Sequence, residues 1–231
     1  MTILALEFSS PQRSVAVACP GRTISEVIET GAGVHAGLNA LASPRHAVAT
    51  EAFSMIEAAL REAKLEREAI EILAVGLGPG SYTGIRAALS VAQGWQLARG
   101  VKLLGVSSVD CMAAQARTEG IFGRVNVIVD AQRNEFYLAT YEISADGWNP
   151  IAPLRILTAA EIQSRAGPGE ILIGPEVTRW FPRGRTIFPR AATLARIGME
   201  RDDLVAGENL EPIYLREANY VKSPARKSPA F

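Results

Sequence analysis

The sequence predicts an α/β fold in which one plan, strand-strand-strand-helix-strand-helix, is used twice. Three observations point there. Short apolar runs bounded by turn residues alternate with segments of helical period. The same order of elements recurs after residue 124, although no residue-level repeat is visible. The chain has 231 residues, 48% of them hydrophobic, enough for one elaborate domain or two small lobes with a sizeable core.

The elements follow in order. Ile3 to Phe8 is an apolar run that suits a buried strand, and Ser9-Ser10-Pro11-Gln12 supplies turn chemistry. Ser14 to Ala18 returns as a second strand, and the alternation of Thr23 to Glu29 gives a third. Thr30 to Arg45 is rich in glycine and small residues and reads as a loop. Ala47 to Lys64 has helical period, with an apolar arc (Val48, Ala52, Met55, Ile56, Ala59, Leu60, Ala63) broader than a surface helix needs. Ile72 to Leu77 is a fourth strand, Gly78 to Gly84 a turn and Ile85 to Arg99 a second helix. A linking helix spans about Ser107 to Thr118.

The second half repeats the plan with strands over Val125–Val129, Phe136–Ile143 and Ile151–Leu157. Turns fall at Gln132-Arg133-Asn134 and Asp146-Gly147. Thr158-Ala159-Ala160-Glu161 is a capping-box pattern that opens a short helix. Glu170–Ile173 is the fourth strand and Ala192–Met199 a helix. The division expected is an N-terminal lobe over 1–105, a C-terminal lobe over 106–216 and a flexible basic tail over 217–231. That tail carries Lys222, Arg226 and Lys227.

Composition removes several classes. Lys plus Arg and Asp plus Glu are 24 each, so the net charge is zero, unlike an autonomous nucleic-acid binder. No apolar run approaches the ~20 residues of a membrane span, and the N-terminus lacks a basic start, so neither membrane nor secretion is expected. Cys19 and Cys111 are too few for a disulfide framework and suit a reducing, cytoplasmic location. Two cysteines and two histidines are also too few for a CxxC zinc site.

Glu7 ends the first strand, followed by Ser9, and Asp130 ends the first strand of the second half. Two such carboxylates beside hairpin turns could hold Mg²⁺ and the phosphates of ATP, as in a small-molecule kinase or ATPase. They could equally be strand-end acids facing solvent. Gly78-Pro79-Gly80-Ser81-Tyr82-Thr83-Gly84 precedes a helix. It is neither a Walker A loop nor a GxGxxG turn, so it is either an anion cradle or a tight connection with Ser81 or Thr83 as cap. A hydrolytic triad is excluded in practice, with two histidines (His35, His46) and no GxSxG elbow.

The second helix is the most informative segment. Ala88, Val91, Ala92 and Trp95 form a core side. Arg86, Ser90, Gln93 and Leu97 face elsewhere, flanked by Ala87, Gly94 and Ala98. One charge is too few for a face in water, and Gly94 costs up to about 1 kcal/mol against alanine in mid-helix. Either another helix packs closely on this stripe from a partner, or the helix is buried inside its own monomer.

At these residues the chain resembles the TsaB (YeaZ) family of bacterial tRNA threonylcarbamoyladenosine biosynthesis subunits. The resemblance is carried by Ile3–Ser10, Gly78–Arg86, Gly105–Ser108, Val129–Tyr137 and Pro212–Arg216, in the family's order. It implies the actin-like/sugar-kinase ATPase fold. It also implies a non-catalytic scaffold or activator that pairs with a TsaD-like catalytic subunit through the two helices of the first lobe. A TsaE-like ATPase would join at that junction, tRNA would be reached only through the complex, and the free chain would form a homodimer. The interface residues it implies are Arg86, Ser90, Gln93, Gly94 and Leu97, with Ala52, Ile56, Ala59 and Leu60 on the first helix. Glu7, Ser9 and Asp130 would be a vestigial nucleotide cleft, and no metal or other cofactor would be needed. Where TsaD carries an HxxxH metal motif, this chain has His46 and Thr50, and one imidazole does not replace two. Gly174-Pro175 stands where an adenosine-binding Gly-Gly would be, and proline removes a backbone donor.

Overall fold

The computed structural model describes residues 1–30, 44–165, 167 and 169–215, with the backbone alone for residue 30 and residues 44–50. The predicted tail, and most of the predicted loop before the first helix, lie outside the described residues, as does the His46 side chain. Two five-stranded sheets form. The first contains β1 (Ile3–Glu7), β2 (Gln12–Ala18), β3 (Ser25–Thr30), β4 (Ile72–Gly76) and β5 (Lys102–Val106) in the order β3-β2-β1-β4-β5. The second contains β6 (Gly123–Asp130), β7 (Glu135–Ile143), β8 (Trp148–Thr158), β9 (Ile171–Gly174) and β10 (Arg185–Thr186) in the order β8-β7-β6-β9-β10.

The duplication extends to the pairing itself. In each sheet the first three strands are antiparallel neighbours, and the fourth and fifth run parallel to the first. Each sheet has one strand more than the sequence predicts. β10 is only two exposed residues long, and β5 is a five-residue strand that starts just after Gly100, the left-handed cap of the second helix.

Five α-helices are described: α1 (Pro44–Ala63), α2 (Tyr82–Arg99), α3 (Ser108–Thr118), α4 (Ala159–Arg165) and α5 (Ala191–Met199). β1 and β4 are apolar throughout because both faces of the first sheet are covered. On one face Leu4, Leu6, Leu73 and Val75 meet Ile56, Leu60, Ile85 and Ala88 of α1 and α2. On the other, Ile3, Ala5, Ile72 and Ala74 meet Ala191, Leu194, Ala195 and Ile197 of α5. So α5, which the sequence places at the end of the second repeat, crosses back to the first sheet. Its free N-terminal donors fix it there. Ala191 N donates to Ser14 Oγ at 2.8 Å and Ala192 N to Glu26 Oε1 at 3.0 Å, while Arg190 pairs with Glu26. The second sheet packs Val125, Val127 and Tyr141 on α3, and Ile128 and Leu138 on Ile162 of α4.

Candidate functional site

The loop from Gly78 to Gly84 owes its composition to the turn between β1 and β2. A Cβ on Gly80 would lie 2.0 Å from Ser9 O, and a Cβ on Gly84 2.0 Å from Phe8 O. Gly80 also has φ +152. Ser81 N donates to Ser9 O at 2.7 Å, and Ser81 Oγ accepts from Gly84 N at 3.3 Å as the cap of α2. The block is therefore a tight connection clamped to the first hairpin. Of the two readings of this loop, the close packing supports the structural one.

Glu7 does not face a ligand site. It is fully buried: Oε1 accepts from Ser9 N at 2.8 Å and Oε2 from Ser108 Oγ at 2.9 Å. A Cβ on Gly76 would sit 2.0 Å from Oε2, so glycine there makes room for the carboxyl. Ser108 Oγ also accepts from Gly78 N at 3.2 Å, and Ser108 N donates to Gly78 O at 2.8 Å. Glu7 and Ser108 thus lock the end of β1 to the glycine loop and to the start of α3.

Burial pushes the Glu7 carboxyl above its ordinary value, against the opposing pull of the bonds from Ser9 and Ser108. The folded chain then holds this proton at pH values where the unfolded chain has lost it. Any stabilisation tied to the protonated group is complete below about pH 4.5 and is lost as pH rises through the folded value. Glu7→Gln should flatten that decline. The check is the unfolding midpoint against pH from 4.5 upward, in which the variant gains on the natural protein as pH rises; parallel curves would show that Glu7 titrates normally.

Between the sheets a cleft of about 670 Å³ is lined by Ser9, Ser10, Arg13, Asp130, Gln132, Arg133, Tyr137, Trp180 and Tyr214 among others. Glu7 is absent from its walls. Asp130 is present, but its Oδ1 accepts from Gln132 N at 2.7 Å and its Oδ2 from Gln132 Nε2 at 3.3 Å. Gln132, Arg133 and Asn134 all have φ near +60, a run of left-handed residues that builds the β6–β7 turn. Gly174 belongs to packing, since a Cβ there would meet Ile128 O at 2.0 Å. Of the expected nucleotide cleft, Ser9 and Asp130 lie on the wall and Glu7 lies beneath it. Of the two carboxylates, only Asp130 lines the cleft.

The other surface is the face shared by α1 and α2. A groove of about 500 Å³ is lined by Phe53, Tyr82, Thr83, Arg86, Ala87, Ser90 and Val91. Arg86 and Ser90 are exposed, Leu97 is 89% exposed, and nothing lies within 4 Å of a Cβ on Gly94. Of the two readings of α2, this exposure rules out burial of the stripe within the monomer. Gln93 is half-buried and its Nε2 donates to Gly207 O at 2.9 Å, so its amide is engaged within the chain. Ala52, Ile56, Ala59 and Leu60 correct the sequence expectation. All four are buried in the core beneath α1, because the wide apolar arc of that helix is spent on its own sheet. The outer side of α1 shows Phe53, Ser54 and Glu57 instead. Phe53 and Tyr82, each about half exposed, also stand on this face: Phe53 is an aromatic on the polar side of a helix, whereas Tyr82 falls in the segment that the sequence presents as a turn. Tyr82 is held by Tyr214, whose ring stacks on it at 5.5 Å, and by Arg86 at 5.2 Å.

The family model "TsaD: tRNA N6-adenosine threonylcarbamoyltransferase" matches residues 24–213. The chain is 30% identical over 164 residues to the "tRNA threonylcarbamoyladenosine biosynthesis protein TsaB" of Escherichia coli, covering 64% of this chain and 71% of that one. It is 25% identical to the Haemophilus influenzae protein of the same name, over 98% of this chain and 99% of the other. Among solved structures, "YeaZ from Pseudomonas aeruginosa" superposes with a TM-score of 0.74 at 26% identity, covering 93% of this chain and 99% of that one.

Proposed function

The chain belongs to the TsaD family, and from that premise we propose that it serves tRNA threonylcarbamoyladenosine biosynthesis as a non-catalytic subunit, a scaffold that activates a TsaD-like partner. The observation that carries this reading is the α1–α2 face. Phe53, Tyr82 and Leu97 are exposed beside small or short side chains, and the stripe through Ser90 and Gly94 leaves room for a helix from another chain. The partner contacts are Arg86, Ser90, Gly94 and Leu97 on α2, with Phe53 and Glu57 of α1 in place of the four buried residues. Gln93 borders the contact while its amide holds Gly207. The TsaE-like ATPase meets the complex beside this junction, and tRNA is engaged through the complex. In the absence of the partner the same face pairs with a second copy, since a self-complementary patch favours a twofold dimer.

The kinase or ATPase alternative has less support. Of its two carboxylates only Asp130 lines the cleft, and Glu7 is buried and already bonded by Ser9 and Ser108. No group of three or more His, Cys, Asp or Glu able to hold a metal occurs among the described residues. A cytoplasmic location fits the free Cys19 and Cys111, and no described helix is long and apolar enough to cross a membrane.

Two measurements test the proposal together. Mixed with the TsaD-like protein of its host, the chain should elute as one complex in size-exclusion chromatography. Titrated alone with Mg-ATP in a calorimeter, it should give no binding heat. Tight ATP binding with turnover, and no complex, would return the function to the cleft around Asp130.

A further inference from the structure

The second sheet carries a cavity of about 260 Å³ that shares no lining residue with the cleft or the α1–α2 groove. It lies on the α4 side, where a sheet face is expected to be apolar. Its lining mixes the buried apolar Leu138 and Ile162 with two buried polar residues, Asn126 and Thr140. Thr140 Oγ1 donates to Asn126 Oδ1 at 2.7 Å, and Asn126 Nδ2 donates to Glu170 Oε2 at 2.7 Å. Arg124 Nη1 donates to Glu170 Oε1 at 3.3 Å. Buried polar side chains on a core face are uncommon, and this hydrogen-bonded row sets the position of Glu170 and Arg124 at the cavity edge.

The charges around the cavity do not balance. Arg124, Arg155 and Arg165 line it, with Glu170 as the only acid in the lining. Glu170 is already paired with Arg124. Arg165 is exposed and lies near the Glu161 carboxylate, one turn earlier in α4, whereas Arg155 is half-buried, has no ion pair among the described residues, and its Nε is enclosed with no acceptor. A guanidinium partly withdrawn from water without a counter-charge is costly, and an anion in the cavity offsets that cost.

We propose that this cavity is a binding site for a small phosphate dianion, either inorganic phosphate or the terminal group of a phosphomonoester. The lining stays net positive after Glu170 offsets Arg124 and Glu161 offsets Arg165, and the half-buried Arg155 is the guanidinium left for an anion. Guanidinium forks match phosphate oxygens in geometry as well as charge. The volume lies just below the ~300–1,000 Å³ of sites for drug-sized ligands, so a whole nucleotide would project out of it. A nucleic-acid backbone is a poorer fit, because each phosphodiester carries one charge and binding it needs an extended basic track on a chain whose net charge is zero.

The test is thermal unfolding and calorimetric titration of the full chain with sodium phosphate, against sodium chloride at matched ionic strength. Phosphate should raise the midpoint where chloride does not. Arg155→Met should weaken phosphate binding at least ~10-fold, as loss of a charge-assisted contact implies. Arg165→Gln, at the exposed end of α4, should weaken it without disturbing the fold, which covers the case in which the Arg155 variant unfolds. Equal midpoints in phosphate and chloride, or undiminished binding in both variants, would overturn the site. Displacement of phosphate by a short single-stranded RNA would overturn the assignment to a dianion.

Discussion

Ser90→Arg should abolish co-elution with the TsaD-like partner while leaving the chain's own unfolding within about 0.5 kcal/mol of the natural protein. Ser90 is exposed, and its Oγ donates only to Arg86 O at 2.8 Å, one turn earlier in the helix. That bond competes with the helix ladder, and arginine is the better helix former, so the monomer loses nothing. In the complex the new guanidinium would enter a packed seam. A buried charge without a partner at the centre of an interface costs about 2–4 kcal/mol, or ~30- to ~1,000-fold in affinity. Gly94→Trp should act the same way by bulk, since nothing lies within 4 Å of a Cβ there in the free chain. A variant that still co-elutes would move the interface off α2. A variant that unfolds would mean that the stripe supports the monomer.

Gly84→Ala should destabilise the monomer by about 2–4 kcal/mol, more than most surface changes can. Gly84 lies in the first turn of α2, where alanine would otherwise be favoured by up to about 1 kcal/mol. The added methyl, however, meets the backbone carbonyl of Phe8 at 2.0 Å. Phe8 is buried and the next residue is tied by Ser9 N to Glu7 and by Ser9 O to Ser81 N, so the carbonyl has nowhere to go. Gly94→Ala is the control. It adds the same methyl to the same helix in open space, and should stabilise slightly. Urea unfolding of both variants separates the two effects. Near-equal midpoints would mean that the hairpin yields easily and that the glycine block is not a clamp.

The residues differ in how far the sequence exposes their roles. Strands such as β1 and β4 are legible because burial on both faces demands an unbroken apolar run. The stripe on α2 is legible because a helix with a single charge on its outward side is out of place in water. The role of Glu7 is not legible. A carboxylate after an apolar strand suggests a ligand site, and only the approach of Ser108, 101 residues away in sequence, turns it inward. The first helix misleads for a related reason: a wide apolar arc shows how much surface is buried, not against what. Ala52, Ile56, Ala59 and Leu60 all go to the chain's own sheet, which leaves Phe53 as the residue that marks the outer face. α5 could not be assigned to a sheet either, because its small residues fit any close-packed surface until Ser14 and Glu26 take up its free N–H groups.

The central claim is that this chain supplies assembly and its partner supplies chemistry. The most direct test is transfer of threonylcarbamoyl to tRNA, measured for this chain alone, the TsaD-like subunit alone and the two together, with the TsaE-like ATPase present throughout. Product should form only when both are present, and Ser90→Arg should return the pair to the level of the partner alone. Product from this chain without the partner, or a partner equally active without this chain, would contradict the claim.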